Sequence, residues 1–150
     1  GTELPRLQQI AKSNVKILGY QSNSVVQDYL SRARAFVYAA CEDFGIVLVE
    51  AQACGTPVIA YGLGGAAETV LDIRNYPDCG TGILFPTQTT AAILAAISTF
   101  ETYHQQFQAE KIRAHAESFA DSVFRSQYLS LLDRYYHRWK SGTSNQHSGV

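Results

Sequence analysis

The 150-residue sequence predicts an α/β fold in which a parallel sheet is flanked by helices. Short apolar runs alternate with segments whose apolar residues recur every three or four positions, which is typical of strands connected by helices. The run 35–40 is apolar on both faces, as a central strand of a buried parallel sheet should be. With 46% hydrophobic and 17% charged residues, the composition indicates one globular domain with its own core.

Four strands are expected, and each is a short apolar run bounded by turn residues. They are the runs 15–18, 35–40, 57–61 and 82–85. Pro57 is tolerated because it stands at the first position of its strand.

The helix after the first strand should begin with Ser24 as its N-cap, and Gln27 should complete a capping box. Its apolar face comprises Val25, Val26, Tyr29, Leu30 and Ala33. A second helix is expected from about 46 to 54, ending at Gly55 because glycine is favoured just beyond a helix.

Four further helices are expected. They are a short helix at 66–71, one capped by Thr90, one at about 107–117, and a long final helix that begins near Asp121 under a Ser118 cap. Aromatic residues recur along the final helix, and we interpret them as core packing in preference to a docking face. Residues 141–150 are polar and are expected to form a flexible tail.

Composition and charge exclude several classes of function. A net charge of -1 gives no electrostatic case for binding nucleic acid or an anionic membrane, and no apolar run is long enough to span a membrane. The three cysteines and four histidines show no metal-ligand spacing, so we expect reduced thiols, a cytoplasmic protein and no metal or other cofactor.

The chain lacks methionine and begins with Gly1, and we interpret it as a processed or truncated piece.

The stretch from Glu42 to Thr69 carries most of the functional signal. Ligands of open parallel sheets bind beyond the carboxyl ends of the strands, where Glu42 and Gly45 are expected. Gly45, Ile46 and Val47 would be the first residues of a helix, and their free N–H groups would favour binding of a phosphate. Glu42 could accept hydrogen bonds from sugar hydroxyls, and Glu50 could hold a ribose diol.

Each part of this pattern is weak by itself. Glu42 alone could be an exposed loop acid and Glu50 a solvated helix residue, and Gly64-Gly65 alone is a common turn. The charge of this stretch is a further argument against a diphosphate site, because no Lys or Arg lies between Arg34 and Arg74. A helix N-terminus stabilises an anion by roughly 0.3–1 kcal/mol, so a basic group is expected from elsewhere to hold a diphosphate.

The stretch 42–69 resembles the retaining glycosyltransferases of the GT-B fold, of the group 1 or family 4 type. Glu42 to Glu50 matches their E-x7-E motif, and Thr81-Gly82-Ile83-Leu84-Phe85 matches a later strand of the family. Asp43 and Gln52-Ala53-Cys54 resemble a bacterial mannosyltransferase-like subgroup. The resemblance implies a Rossmann-like sheet that forms the C-terminal half of a GT-B fold.

The resemblance also implies roles for particular residues. Glu42 is the candidate catalytic residue and binds the hydroxyls of the donor sugar. The candidate substrate-binding residues are Phe44, Gly45, Ile46 and Val47 at the sugar and phosphates, Glu50 at the ribose, and Tyr20 near the nucleotide base.

The family's donor lobe begins with two strands and an Arg and a Lys that clamp the diphosphate. Residues 1–140 are therefore interpreted as a nucleotide-sugar-binding lobe that lacks these two strands, with an N-terminal acceptor lobe also absent. In the usual strand order 3-2-1-4-5-6, strands 3, 4, 5 and 6 would be present.

The first hypothesis is the donor-binding part of an enzyme that transfers a hexose, with mannose favoured, from GDP-mannose or a UDP-hexose to a saccharide or lipid acceptor. The isolated chain would be inactive, and the parent enzyme would be cytoplasmic or at the inner face of the membrane. The alternative is a non-catalytic binding or assembly module that docks through aromatic residues of the final helix, namely Tyr128, Tyr135, Tyr136 and Trp139. A glycoside hydrolase with Glu42 and Glu50 as its acid/base pair is not favoured by the α/β pattern.

Overall fold

The structure, a computed structural model, describes residues 2–144. Seven helices and three strands lie within that range. In chain order they are α1 (Leu4–Ile10), α2 (Asn23–Arg32), β1 (Phe36–Tyr38), α3 (Ile46–Ala53), β2 (Val58–Tyr61), α4 (Gly65–Thr69), β3 (Gly82–Phe85), α5 (Thr90–Tyr103), α6 (Ala109–Glu117) and α7 (Asp121–Ser144). A single 3-10 turn, His104–Gln106, connects α5 and α6.

The three strands form a parallel sheet in the order β1-β2-β3. Helices cover both of its faces, because successive residues of β2 contribute to two separate core clusters. Val58 and Ala60 pack in a cluster with Leu48 of α3, whereas Ile59 packs in the other cluster with Phe100 of α5. The predicted α/β fold with a parallel sheet and flanking helices is therefore confirmed.

The strand predicted at 15–18 does not belong to the sheet, so that prediction is wrong. Val15 and Leu18 are 48% and 44% exposed. An apolar run becomes a strand only when a neighbouring strand satisfies its backbone groups. Residues 15–18 pair with none of the three strands of the sheet.

The predicted capping box of the first helix is also wrong. The N-cap of α2 is Ser22 rather than Ser24, and its side chain accepts no capping hydrogen bond. The hydroxyls of Ser22 and Ser24 instead lie 3.0 Å apart and bond each other. Thr89 rather than Thr90 caps α5, accepting from the N–H of Ala92 at 3.2 Å.

The long final helix α7 begins at Asp121 as expected, but it continues through Ser144. The first residues of the predicted flexible tail, 141–144, are therefore helical, and residues 145–150 lie outside the described part of the chain. The interpretation of its apolar stripe as core packing is wrong. Eight large side chains there are between 40% and 66% exposed, namely Phe124, Tyr128, Leu129, Leu131, Leu132, Tyr135, Tyr136 and Trp139.

Candidate functional site

Glu42 lies in the loop that leaves the carboxyl end of β1 and leads into α3. Its side chain is exposed, and its carboxylate accepts a hydrogen bond from the hydroxyl of Tyr38, the last residue of β1. This bond raises the pKa of Tyr38 above the usual tyrosine value, with smaller contributions from desolvation and from the negative charge of Glu42. The sequence pointed to Glu42 but not to its partner Tyr38.

Gly45 turns the loop into the first turn of α3. It is the N-cap residue and adopts the left-handed conformation, with φ 77° and ψ 57°, which glycine occupies without the cost that a Cβ would bring. Its carbonyl accepts the N–H of Leu48 at 2.9 Å. The N–H groups of Ile46 and Val47 belong to the first turn, where an α-helix supplies no carbonyl partner and its dipole favours an anion.

The Gly64-Gly65 turn supports this loop from the neighbouring strand. The N–H of Gly65 donates to the carbonyl of Glu42 at 2.7 Å. A Cβ at Gly65 would lie only 2.1 Å from the carbonyl oxygen of Phe44, and a Cβ at Gly64 only 2.4 Å from that of Glu42. The glycines therefore allow two backbones to touch, and Glu68 is an exposed residue in the first turn of α4.

Most of the predicted site residues line one shallow depression of about 490 Å³. Its lining consists of Glu42, Asp43, Phe44, Gly45, Ile46, Val47 and Glu50. No Lys or Arg is among these lining residues, so the shortage of positive charge noted in the sequence persists in the geometry. Tyr20 is not brought to this depression, and its side chain is 96% exposed.

Glu50 also borders a second cavity, of about 290 Å³, between α3 and α2. Asn23 and Gln27 of α2 line this cavity beside Glu50. Their side-chain amides can both donate and accept hydrogen bonds. Sequence reasoning named neither as a site residue, since it assigned Gln27 to a cap and placed Asn23 only in the loop that contains Tyr20.

A third, apolar groove of about 760 Å³ runs from the depression toward the start of α7. Phe44 and Ile46 belong to both, and the Phe44 ring meets Phe119 edge-on at 5.9 Å between ring centroids. Arg113 is also at this groove, but its guanidinium donates to the carbonyl of Cys54 at 3.2 Å. It therefore stabilises the C-terminal end of α3, the opposite end from the anion-favouring turn.

Within residues 2–144, no group of three or more His, Cys, Asp or Glu side chains is placed to hold a metal ion. Cys41, Cys54 and Cys79 are free thiols. In this same part of the chain, no helix combines the length and the apolar character needed to cross a membrane.

The fold and the site together define a Rossmann-like α/β domain with its polar groups at the carboxyl edge of the sheet. Residues 3–118 match the family model described as glycosyl transferases group 1. Because this match covers more than half of the chain, the chain belongs to the group 1 glycosyltransferase family.

Curated relatives share this stretch. D-inositol 3-phosphate glycosyltransferase of Mycobacteroides abscessus is 51% identical over 93 residues, which cover 62% of this chain and 20% of the relative. A GDP-mannose-dependent monoacylated alpha-(1-6)-phosphatidylinositol monomannoside mannosyltransferase of Corynebacterium glutamicum is 43% identical over 75 residues, covering 45% of this chain and 20% of the relative. The chain thus spans about a fifth of the length of these relatives.

Solved structures share the fold. Sucrose-phosphate synthase from Thermosynechococcus elongatus aligns with a TM-score of 0.67 and 27% identity, over 89% of this chain and 33% of that one. Anabaena HepE in complex with UDP-glucose aligns with a TM-score of 0.58 and 24% identity, over 89% of this chain and 36% of that one. The expected likeness to GT-B proteins is confirmed, and the placement in family 4 and in a mannosyltransferase-like subgroup stays a prediction.

Proposed function

We propose that this chain is the donor-binding part of a retaining glycosyltransferase of family 4, which transfers a hexose from a nucleotide-diphosphate sugar to a saccharide or lipid acceptor. The observation that carries the proposal is the shared depression in which Glu42, the first turn of α3 and Glu50 meet. One carboxylate, one anion-favouring helix end and a second carboxylate suit a sugar, a diphosphate and a ribose in that order.

In this proposal Glu42 accepts hydrogen bonds from the donor sugar and acts at the reacting end of the site. The N–H groups of Ile46 and Val47 bind the phosphates beside Phe44 and Gly45, and Glu50 binds the ribose. Mannose from GDP-mannose is the specific donor proposed, because one relative is named as a GDP-mannose-dependent mannosyltransferase. A UDP-hexose is the alternative donor, and no metal or other cofactor is invoked.

The charge of the depression limits what this chain does alone. A sugar diphosphate brings about two negative charges to a site already lined by Glu42, Asp43 and Glu50. Negative charge developing on the departing phosphate needs preorganised positive groups to stabilise it. We therefore propose that a basic group and an acceptor-binding lobe come from elsewhere in the enzyme, and that the isolated chain is inactive. The enzyme is proposed to act in the cytoplasm or at the inner face of the membrane.

Glu50→Ala should weaken binding of GDP-mannose, UDP-glucose and GDP alike, by roughly 10-fold to 100-fold, because all three contain the ribose and lose charge-assisted hydrogen bonds. Glu42→Ala should weaken the two sugar nucleotides by a similar factor and leave GDP unchanged. Calorimetric titration of the full-length enzyme that contains this chain measures all three affinities.

Glu68→Ala is the matched control, because Glu68 is an exposed glutamate that does not line the depression. It should change none of the three affinities. Equal losses for GDP and GDP-mannose in the Glu42 variant would contradict the division of roles, and robust hexose transfer by this chain alone would contradict its proposed inactivity.

A non-catalytic assembly module is the second candidate function, and the exposed apolar face of α7 favours it. Tyr136, 55% exposed on that face, should be replaceable by Asp without unfolding the sheet. If the face mediates association, Tyr136→Asp should abolish concentration-dependent association in sedimentation-velocity experiments. Ser130→Asp is the control on the opposite side of α7, by helical spacing. A wild-type chain that stays monomeric at every concentration would exclude this candidate.

A further inference from the structure

The Tyr38 side chain is held at both of its ends. Its ring is half-buried, stacks on Phe36 at 6.0 Å between ring centroids, and packs against the core cluster that contains Leu48. Its hydroxyl donates a hydrogen bond to the carboxylate of Glu42, which lines the depression. A phenol that is anchored in this way has little freedom to follow its partner, so the partner is held in place by the phenol.

Glu42 has few other restraints on its side chain. Its backbone carbonyl is fixed by the N–H of Gly65 at 2.7 Å, but the side chain is exposed and has the rotamer freedom of a long flexible group. Binding that must first order such a side chain loses affinity. Among the hydrogen bonds described for residues 2–144, the one from Tyr38 is the only bond that joins the Glu42 carboxylate to a strand of the sheet.

We propose that Tyr38 is a positioning residue for the donor sugar: its hydroxyl holds one carboxylate oxygen of Glu42 and so leaves the other aimed into the depression. The inference rests on the proposed function, since it assigns the Glu42 carboxylate to the sugar. An ionised carboxylate has acceptor sites on both oxygens, so the bond from Tyr38 leaves acceptors for neighbouring sugar hydroxyls. The raised pKa of Tyr38 agrees with this bond.

The contact itself is tested without any ligand. In carbon-13 NMR titrations of this chain, the phenol carbon of Tyr38 should titrate at higher pH than that of an ordinary tyrosine. Glu42→Gln removes the charge that favours the protonated phenol, so it should bring the Tyr38 pKa back toward the ordinary value. An unchanged Tyr38 titration in Glu42→Gln would overturn the proposed contact.

The positioning role is tested by Tyr38→Phe, which keeps the ring and removes only the hydroxyl. Calorimetric titration of the full-length enzyme that contains this chain should show GDP-mannose binding weakened by about 3-fold to 10-fold, the usual scale of one hydrogen bond, and GDP binding unchanged. Tyr61→Phe is the matched control, because Tyr61 is the last residue of the adjacent strand β2 and packs on Phe85. It should leave both affinities unchanged, and thermal unfolding should show that both variants fold.

The results separate two kinds of failure. If Glu42→Ala weakens GDP-mannose binding and Tyr38→Phe does not, the positioning role is wrong and the proposed function stands. If Glu42→Ala leaves GDP-mannose binding unchanged, the assignment of Glu42 to the sugar is wrong, and the role of Tyr38 is wrong with it. A loss of GDP binding equal to the loss of GDP-mannose binding in Tyr38→Phe would show a general structural effect and would overturn the positioning role.

Discussion

Gly65→Ala is expected to lower the free energy of unfolding by about 1–3 kcal/mol, the range for forcing an extra methyl group into a packed region. The added Cβ would lie 2.1 Å from the carbonyl oxygen and 2.2 Å from the carbonyl carbon of Phe44. Neither atom belongs to a flexible side chain, so the loop and the start of α4 must move apart. That movement would also break the 2.7 Å hydrogen bond from Gly65 to Glu42.

The same substitution is expected to weaken binding of a nucleotide sugar by roughly 10-fold to 100-fold, because moving the loop displaces the Glu42 carboxylate from its charge-assisted hydrogen bonds to the sugar. Chemical denaturation measures the first effect, and titration with GDP-mannose measures the second. Gly62→Ala is the control in the segment that connects β2 to α4. A Cβ at Gly62 would lie 3.2 Å from the Leu84 side chain and 3.5 Å from the nearest backbone atom, the carbonyl oxygen of Phe85. Stability and affinity both unchanged in Gly65→Ala would show that α4 does not shape the loop.

The candidate site could be predicted from the sequence to the extent that it is contiguous. Glu42, Gly45 and Glu50 lie within one loop and one helix, so their relative positions follow from helix geometry and from the order of strand, turn and helix. In the structure all three line one depression, and their roles stay a prediction. Tyr20 lies on a separate loop, and nothing local in the sequence fixes where that loop is placed.

The contacts that support the site could not be predicted, because they join distant segments. Gly65 touches Phe44 through two backbones, and nothing in a Gly-Gly pair indicates which segment will approach it. Asn23 and Gln27 line a cavity together with Glu50 only because α2 packs beside α3. In the same way, an apolar run at 15–18 has the composition of a strand, but pairing with another strand is what makes it one.

The final helix shows a related limit. Periodicity correctly predicts that α7 is helical and that its apolar residues share a face. It does not specify what covers that face, and in residues 2–144 the side chains of the stripe remain at least 40% exposed. Burial depends on tertiary packing, which the spacing of apolar residues leaves open.

Asp72→Asn is expected to lower the free energy of unfolding by about 2–4 kcal/mol at neutral pH, because it disrupts a buried carboxylate with several donors. The Asp72 side chain is 4% exposed. It accepts the N–H of Leu84 at 2.8 Å, the N–H of Arg74 at 3.0 Å, and the Arg74 guanidinium at 2.8 Å and 2.5 Å. Arg74 also donates to the carbonyl of Leu84 at 2.7 Å, so one carboxylate ties the segment after α4 to β3.

Asp28→Asn is the matched control, since Asp28 also pairs with an arginine, Arg32, but is 56% exposed. An exposed pair of this kind contributes about 0–1 kcal/mol, so chemical denaturation should show a small loss. Equal losses in the two variants would contradict the structural role of Asp72.

The pH dependence of stability gives a second, independent measurement of Asp72. Burial raises the pKa of this carboxyl, but the hydrogen bonds from Arg74 and the backbone N–H groups outweigh burial and lower the pKa below the usual value. A carboxyl whose pKa is lower in the folded state stabilises the fold above its unfolded pKa of about 3.9. That stabilisation should be lost as the pH falls below about 4 and through the lower folded pKa. The difference in unfolding free energy between wild type and Asp72→Asn should therefore shrink with acidification, and a difference that stays constant from neutral pH to pH values below about 4 would contradict the lowered pKa.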